Sequence, residues 1–181
     1  MMRHTLFLIV LLVVPSLVFA QETSLFMDSE PGDFIGQGQQ WYYNPDSAEF
    51  TITPNYGTNG VRVNLQTADP SWGWWTLHFN APEGDDLVVG NYVNAARYPF
   101  NGPYYPGLSV SGMGRGCNTL TGSFVVHEIT FGSNNTVESF WATFEQHCEG
   151  GPAALTGEIR INHGVVTTVK IKLDEMKVMY R

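Results

Sequence analysis

The chain has 181 residues, of which 13% are aromatic, and a formal net charge of −8. This length suits one domain that can bury a sizeable core. Because affinity for nucleic acids and for anionic membranes comes largely from lysine and arginine, the acidic balance argues against both partners.

The first twenty residues have the organisation of a secretory signal peptide. Arg3 supplies the short basic end, and an apolar stretch over residues 6–14 follows it. Val18 and Ala20 fit the small-residue pattern that precedes cleavage. The apolar stretch is too short to span a bilayer, which takes about 20 apolar residues. We therefore expect residues 1–20 to be removed, and residues 21–181 to form a single domain that is secreted or periplasmic.

Alternation of apolar and polar residues predicts an all-β domain of about eight or nine short strands, separated by turns rich in Gly and Pro. One-sided alternation favours a two-sheet antiparallel β-sandwich, and a closed or partly open β-barrel is the alternative. The candidate strands are residues 50–53, 61–65, 75–80, 87–92, 108–111, two arms of a hairpin within 115–150, 155–161 and 165–173, the last with Val169, Ile171 and Leu173 inward and Lys170 and Lys172 outward.

Acidic residues cluster at two points of the chain. Calcium sites use six to eight oxygen ligands, often from such loops. Neither cluster has a recognised calcium-loop spacing, so both are interpreted as solvated turns, and no metal or other cofactor is predicted. The clusters are Asp28, Glu30 and Asp33, and Glu83, Asp85 and Asp86.

Tryptophans provide the candidate ligand-binding residues. Trp75 belongs with Leu77 and Phe79 in the predicted core, so Trp74 points the other way, and Trp72 lies in a loop-like segment. Exposed rings on an acidic, secreted domain would suit stacking against sugars, with Trp41 as a third ring. The alternative is that a second layer or a long loop covers them, because large aromatic side chains are mostly buried.

The only two cysteines, Cys117 and Cys148, lie at the far ends of the predicted hairpin, whose turn is placed at residues 132–135. A two-residue loop would pair the cysteines directly and would place His127 opposite Glu138. A four-residue loop would make the cysteines diagonal neighbours. Both registers put the two sulfur atoms on one sheet face, so we predict a disulfide.

The same parity defines the face that we expect to be buried. Its members are Cys117, Val125, His127, Ile129, Phe131, Phe140, Ala142, Phe144 and Cys148.

Histidines are the candidates for catalysis. His127 beside Glu138 could act as a general base, but no nucleophile accompanies it, and a structural pair is the preferred interpretation. His147 lies next to Cys148 in sequence, and a catalytic Cys–His pair would need a free thiol, which secretion disfavours. We predict no catalytic residues.

Several segments carry a family resemblance. They are DFIGQGQ at residues 33–39, RYPF at 97–100, PGLSVSG at 106–112, GRGCNTLTGSF at 114–124 and the segment 144–160. Together they resemble an uncharacterised family of secreted bacterial β-domains, over nearly the whole mature chain. The family has no established activity, so the resemblance implies a fold and a compartment and assigns no site residues. The tryptophans of SWGWW, residues 71–75, depart from its pattern.

Three functions remain as hypotheses. The first is a secreted, non-catalytic binding or structural module. The second is a carbohydrate-binding module that uses Trp72 and Trp74, with a glycan or a cell-envelope component as partner. The third is an extracellular hydrolase, which no motif supports.

Overall fold

The computed structural model describes the backbone of residues 18–68 and 73–167, and the side chains of residues 22–68 and 73–162. The chain divides into two compact units, of which the larger is Gln21–His163. The smaller unit is Met1–Ala20 with Gly164–Arg181, and only the ends of two strands are described there. Among the described residues, no helix is long and apolar enough to cross a bilayer.

Ten β-strands make up the described structure, and their sequence signal is the short apolar–polar alternation between turn residues. The strands are β1 Val18–Ser29, β2 Gln40–Tyr43, β3 Ala48–Asn55, β4 Gly60–Thr67, β5 Trp74–Asn80, β6 Gly90–Arg97, β7 Gly107–Gly112, β8 Leu120–Phe131, β9 Val137–Cys148 and β10 Ala154–Thr167.

All ten strands belong to one sheet, in the order β2-β1-β10-β9-β8-β6-β7-β5-β4-β3. Every pair whose register is described is antiparallel, except the parallel pair of β6 and β7. The edge strands β2 and β3 follow each other in sequence across a short turn, so the sheet curls round until its two edges nearly meet. The all-β prediction is confirmed, and this single sheet corresponds to the barrel alternative rather than to two separate sheets.

The core lies inside the curled sheet. Residues that alternate along β4 and β5 point inward as predicted, among them Val63 and Leu77. Phe79 of β5 meets Phe124 of β8 and Phe140 of β9 across the interior, with ring centroids 5.4 and 5.3 Å apart. Contacts between strands far apart in the sheet are therefore what hold it curled.

The β8–β9 hairpin differs from both predicted registers. Cys148 pairs with Leu120, whereas Cys117 lies before β8 begins. The turn is near the predicted place but leaves five residues, 132–136, between the last paired residues. A β-bulge between Val126 and Glu128 then shifts the register by one residue.

The bulge also explains why the sequence pattern assigned some side chains of β8 to the wrong face of the sheet. Before the bulge, Phe124 and Val126 are buried, and Val125 points away from the core. After it, Ile129 packs against the core as predicted, although its observed partner, Phe140, belongs to neither predicted register. A bulge adds one residue to one strand, and with a side-chain period of two that reverses the faces.

Two further differences concern the ends of the domain. The strands β1 and β2 were not predicted, and the predicted strands 155–161 and 165–173 overlap one strand, β10. The predicted inward Val169, Ile171 and Leu173 and outward Lys170 and Lys172 lie outside the described residues, as does most of the predicted signal peptide. Cleavage after Ala20 would remove the first residues of β1.

Candidate functional site

An open cleft of about 630 Å³ lies where three turns come together: residues 56–59 between β3 and β4, residues 81–86 after β5, and residues 98–103 after β6. Its lining is polar and aromatic, and its described residues include three carboxylates and no basic side chain. The lining residues are Tyr56, Thr58, Asn59, Asn80, Ala81, Glu83, Gly84, Asp85, Asp86, Tyr98, Pro99, Asn101, Gly102 and Pro103.

Asn59 fixes one wall of the cleft. Its side-chain nitrogen donates to the carbonyls of Ala81, Pro82 and Asp85, at 3.2, 2.8 and 2.8 Å. Its side-chain oxygen accepts a hydrogen bond from Asn80 at 3.1 Å. One amide thus holds the turn after β5 against the turn before β4, which orders the backbone on that side of the cleft.

Asn80 is buried beneath the cleft and extends this network. Its side-chain oxygen accepts from the amide of Asn55 at 3.2 Å. The opposite residue on β4 is Gly60, where a Cβ atom would lie 2.2 Å from the Asn80 side-chain nitrogen. Glycine is therefore needed at residue 60 for the amide of Asn80 to reach its partners.

The third wall is the turn after β6. The side chain of Asn101 donates to the carbonyls of Gly102 and Tyr105, at 3.1 and 2.7 Å. The backbone of Glu83 donates to the carbonyl of Pro103 at 3.0 Å, which ties this turn to the one after β5. All three walls are thus held by hydrogen bonds within the domain, so the cleft exists without a ligand.

Tyr98 forms the aromatic side of the cleft. Its ring stacks on His78 of β5, with centroids 4.7 Å apart and an interplanar angle of 23°. Its hydroxyl hydrogen-bonds with the side chains of Tyr56 and Asn55, and burial, with a further contribution from Tyr56, raises the pKa of Tyr98. The ring of Tyr56 is 80% exposed at the mouth of the cleft.

His78 supports Tyr98 as an uncharged ring. Burial, and secondly the positive charge of Arg62, lower the pKa of His78 to about 4. Its Nδ1 atom lies 3.2 Å from the side-chain nitrogen of Asn55. Because an amide nitrogen only donates, Nδ1 accepts this bond, which places the ring proton on Nε2.

The cleft offers groups that can bind a ligand. Among its described lining residues there is no serine, cysteine, histidine or lysine, whereas three carboxylates and the hydroxyl of Thr58 are present. Glu83, Asp85 and Asp86 are exposed, and Asp86 accepts a hydrogen bond from the hydroxyl of Thr58. Hydroxyl, amide and carboxylate groups beside two tyrosine rings suit a polar ligand with flat apolar faces.

The predicted tryptophans do not share one surface. Trp41 is partly buried and packs edge-on against the core residue Trp75, with centroids 5.4 Å apart. Its indole nitrogen donates to the carbonyl of Gly36 at 3.1 Å. Trp74 lies on the outer side of β5 and is 42% exposed, so it faces away from Trp41. Trp72 lies outside the described residues.

Beside Trp74 is a shallow depression of about 260 Å³ on the outer side of β3, β4 and β5. Its lining combines the indole with polar side chains, including the amides of Asn64 and Gln66. The hydroxyl of Thr76 donates to the side-chain oxygen of Asn64 at 3.1 Å. This depression and the cleft each place an aromatic ring beside polar groups at a concave surface.

Cys117 and Cys148 form the predicted disulfide, with Cα atoms 5.1 Å apart. The bond joins the end of β9 to the segment before β8, rather than two residues paired in a ladder. Because the thiol of Cys148 is engaged, a catalytic pair with His147 is not formed. His147 instead contacts Glu145 at 3.2 Å, and its Nδ1 atom is buried with no hydrogen-bond partner among the described residues.

His127 was expected in the core beside Glu138, and that prediction is wrong because of the β-bulge. The ring is exposed on the outer side of the sheet, where it packs on Trp141 with centroids 4.5 Å apart. Its Nε2 atom lies 3.0 Å from the hydroxyl of Thr143. Within the described structure no carboxylate orients this ring, so the arrangement of a general base is not present.

The two acidic clusters also have structural explanations. Asp33 is buried rather than solvated, and its carboxylate accepts from the hydroxyl of Ser29 at 2.8 Å and from the backbone of Gly36 at 2.6 Å. The second cluster is part of the cleft. In the described part of the chain, no group of three or more His, Cys, Asp or Glu side chains is arranged to hold a metal ion.

Sequence reasoning singled out Glu83, Asp85 and Asp86 but missed Tyr56, Asn59, Tyr98 and Asn101. The only signal for them was their position in turns, which does not reveal that the turns converge. Comparison of the chain with protein-family models, with curated proteins and with solved structures finds no match.

Proposed function

We propose that this chain is an exported, non-catalytic module that binds carbohydrate in the cleft. The observation that carries the proposal is the cleft itself, a concave site with amide, hydroxyl and carboxylate groups placed beside the rings of Tyr56 and Tyr98. Sugars present hydroxyl groups at their edges and apolar C–H surfaces on their faces. Both kinds of surface find partners in such a lining.

Export is supported by two features that are independent of the cleft. The first twenty residues read as a signal peptide, and the two cysteines form a disulfide, which persists in oxidising compartments. Membership of the secreted bacterial β-domain family is part of the same proposal. It is supported by the segments at residues 33–39, 97–100, 106–112, 114–124 and 144–160. The last two of these contain the disulfide-bonded Cys117 and Cys148.

The charge of the cleft narrows the ligand class. Its described lining has three exposed carboxylates and no basic side chain, and the whole chain is acidic. Anionic glycans such as uronic acid polymers would be repelled, whereas neutral glycans would not. Neutral oligosaccharides are therefore the proposed ligands, and nucleic acids are not.

The test is a glycan array that carries neutral and acidic oligosaccharides, probed with the exported, disulfide-bonded protein. Tyr56→Ala removes an exposed ring at the mouth of the cleft, so it should leave folding intact. Tyr104→Ala is the matched control, since Tyr104 is 86% exposed and does not line the cleft. We expect neutral glycans to bind the wild type and the control, and Tyr56→Ala to weaken binding by about tenfold.

Two results would overturn the proposal. One is an array without signal above background, and the other is equal binding by Tyr56→Ala and Tyr104→Ala. Release of reducing sugar from a bound glycan during incubation would favour the hydrolase hypothesis instead, with the cleft carboxylates as the first residues to test.

A further inference from the structure

The outer side of the sheet next to the cleft is continuous and polar. Along β4 and β5 the inward positions are apolar, so the alternate positions face outward. The cross-strand register aligns these positions in rows. The rows are Glu49, Gln66 and Trp74; Thr51, Asn64, Thr76 and Ser111; and Thr53, Arg62, His78 and Ser109.

The strand β5 connects the two concave features already described. Trp74 begins its outward series and adjoins the depression, Thr76 comes next, and His78 ends the series under the ring of Tyr98. Tyr98 lines the cleft as well. The stacked pair of His78 and Tyr98 therefore belongs both to the outward row of β5 and to the wall of the cleft.

The length of this row fits a chain-like ligand better than a single ring. Trp74 and His78 are four residues apart on one strand, which corresponds to about 13 Å at the usual rise of a β-strand. The cleft extends beyond His78. A ligand that touches both Trp74 and Tyr56 must therefore be an extended molecule.

The chemistry along the row is the same as in the cleft. The side-chain nitrogen of Asn64 makes no hydrogen bond with any described residue and lines the depression beside Trp74. Exposed amide and hydroxyl groups surround a partly exposed indole there. An aromatic ring with free donors at its edge can hold one sugar of a chain, as the tyrosines can in the cleft.

We propose that the ligand is an oligosaccharide chain that runs from the cleft along the outer side of β5 to Trp74, so that the module recognises polymeric glycans rather than free sugars or chain ends alone. This inference rests on the proposed function of the cleft and adds a second subsite to it. The two subsites are joined by the row Trp74, Thr76 and His78.

The experiment is titration calorimetry with a length series, from disaccharide to hexasaccharide, of cello-, xylo-, manno- and chito-oligosaccharides. The proteins are the exported wild type, Trp74→Ala, Trp74→Phe and Tyr56→Ala. Tyr42→Ala is the matched control, because Tyr42 is also an exposed ring on a strand but lies on β2 and lines neither concave feature. Chemical denaturation of each variant establishes that it is folded.

We expect wild-type affinity to rise with chain length. Trp74→Ala should weaken the hexasaccharide by about tenfold and the disaccharide by less than about twofold, because only the longer chain reaches the second subsite. Trp74→Phe should restore much of the affinity for the hexasaccharide. Tyr56→Ala should weaken all lengths alike, and Tyr42→Ala should weaken none.

The two proposals fail in different ways. If the disaccharide binds as tightly as the hexasaccharide, or if Trp74→Ala weakens every length or none, the second subsite is refuted while the cleft stands. If Trp74→Ala weakens binding and Tyr56→Ala does not, the cleft is refuted as the ligand site, and with it the chain path. If no oligosaccharide binds the wild type, both proposals are refuted.

Discussion

Replacement of Gln146 by leucine should destabilise the domain strongly, although the two side chains are similar in size. Gln146 of β9 is fully buried. Its side-chain oxygen accepts from the backbone nitrogen of Val110, and its side-chain nitrogen donates to the Val110 carbonyl, both at 2.9 Å. The side-chain amide of Gln146 thus makes the two hydrogen bonds that a neighbouring strand would otherwise make with the middle of β7.

The need for this replacement arises from the sheet topology. On the side facing β6, β7 is paired only at Gly107 and Leu108, opposite Ala96 and Arg97. Beyond Leu108 the backbone of β7 has no partner on that side among the described strands. Its buried polar groups must find side-chain partners, because unpaired ones are costly.

The size of the effect can be worked from the two lost hydrogen bonds. Leucine would leave two buried backbone groups unsatisfied, at about 2 kcal/mol each. The greater apolar surface that leucine buries would offset about 1 kcal/mol of this. A net loss of about 3 kcal/mol is a large fraction of the stability of an ordinary domain, which is about 5–15 kcal/mol.

Urea denaturation of the oxidised protein measures this difference, with Gln40→Leu as the control for an exposed glutamine on a strand. The control should change the free energy of unfolding by less than about 0.5 kcal/mol. Hydrogen exchange should also show that the Val110 amide loses protection in Gln146→Leu. A loss below about 1 kcal/mol, with the Val110 amide still protected, would refute the bridging role of Gln146.

Three further predictions concern the rest of the domain. Replacing Cys117 and Cys148 with alanine should lower the free energy of unfolding by about 3–4 kcal/mol, since the bond closes a loop with a sequence separation of 31; an unchanged urea midpoint would contradict it. His78 resists protonation until about pH 4, whereas the unfolded residue takes a proton near its ordinary pKa of 6.5, so stability should fall as the pH drops through that interval. Allowing for solvent screening, the wild type should lose about 1–2 kcal/mol of its free energy of unfolding between pH 7 and pH 4.5. Urea denaturation of the wild type and of His78→Gln at these two pH values should show a smaller loss in the variant. A Cβ at Gly112 would lie 2.4 Å from a ring carbon of Trp75, so Gly112→Ala should lower the free energy of unfolding by about 1–3 kcal/mol. A Cβ at Gly90 would meet no atom within 4 Å, so Gly90→Ala should lose little stability from crowding.

The parts of the fold that sequence predicted are those with strict alternation. In β4 and β5 every second residue is large and apolar, and the faces follow directly from the two-residue period. The strand β1 has the same buried alternation at Leu25 and Met27. It was missed because Phe26 between them is apolar too, although it is exposed, so the pattern does not stand out.

Local irregularities of the strands could not be predicted from the sequence. The bulge at His127 has no residue signature, yet it reverses the faces of the β8 residues before it relative to those after it. Gln146, in contrast, did leave a signal. It occupies a core-facing position between Phe144 and Cys148, and a polar residue there must be satisfied inside the protein.

The cleft could not be predicted because its walls are far apart in sequence. Turns at 56–59, 81–86 and 98–103 meet only because β4, β5, β7 and β6 are neighbours in the order of the sheet. Each turn by itself looks like an ordinary solvated connection. The carboxylates of the middle turn stand out for their charge, but the tyrosines beside them in the cleft come from the other two turns.

One feature of the topology accounts for both the cleft wall and the role of Gln146. Because β6 and β7 are parallel and overlap by only two residue pairs, the chain between them must leave the sheet and return. The excursion, residues 98–106, supplies Tyr98 and Asn101 to the cleft. Past the overlap, β7 continues without a described strand on the side that faces β6, and the side chain of Gln146 bonds its backbone there. The cleft wall and the buried bridge made by Gln146 are therefore two consequences of the same short parallel pair. A variant with a longer β6–β7 pairing would no longer need Gln146 to bond the backbone of β7, but it would lose this wall of the cleft.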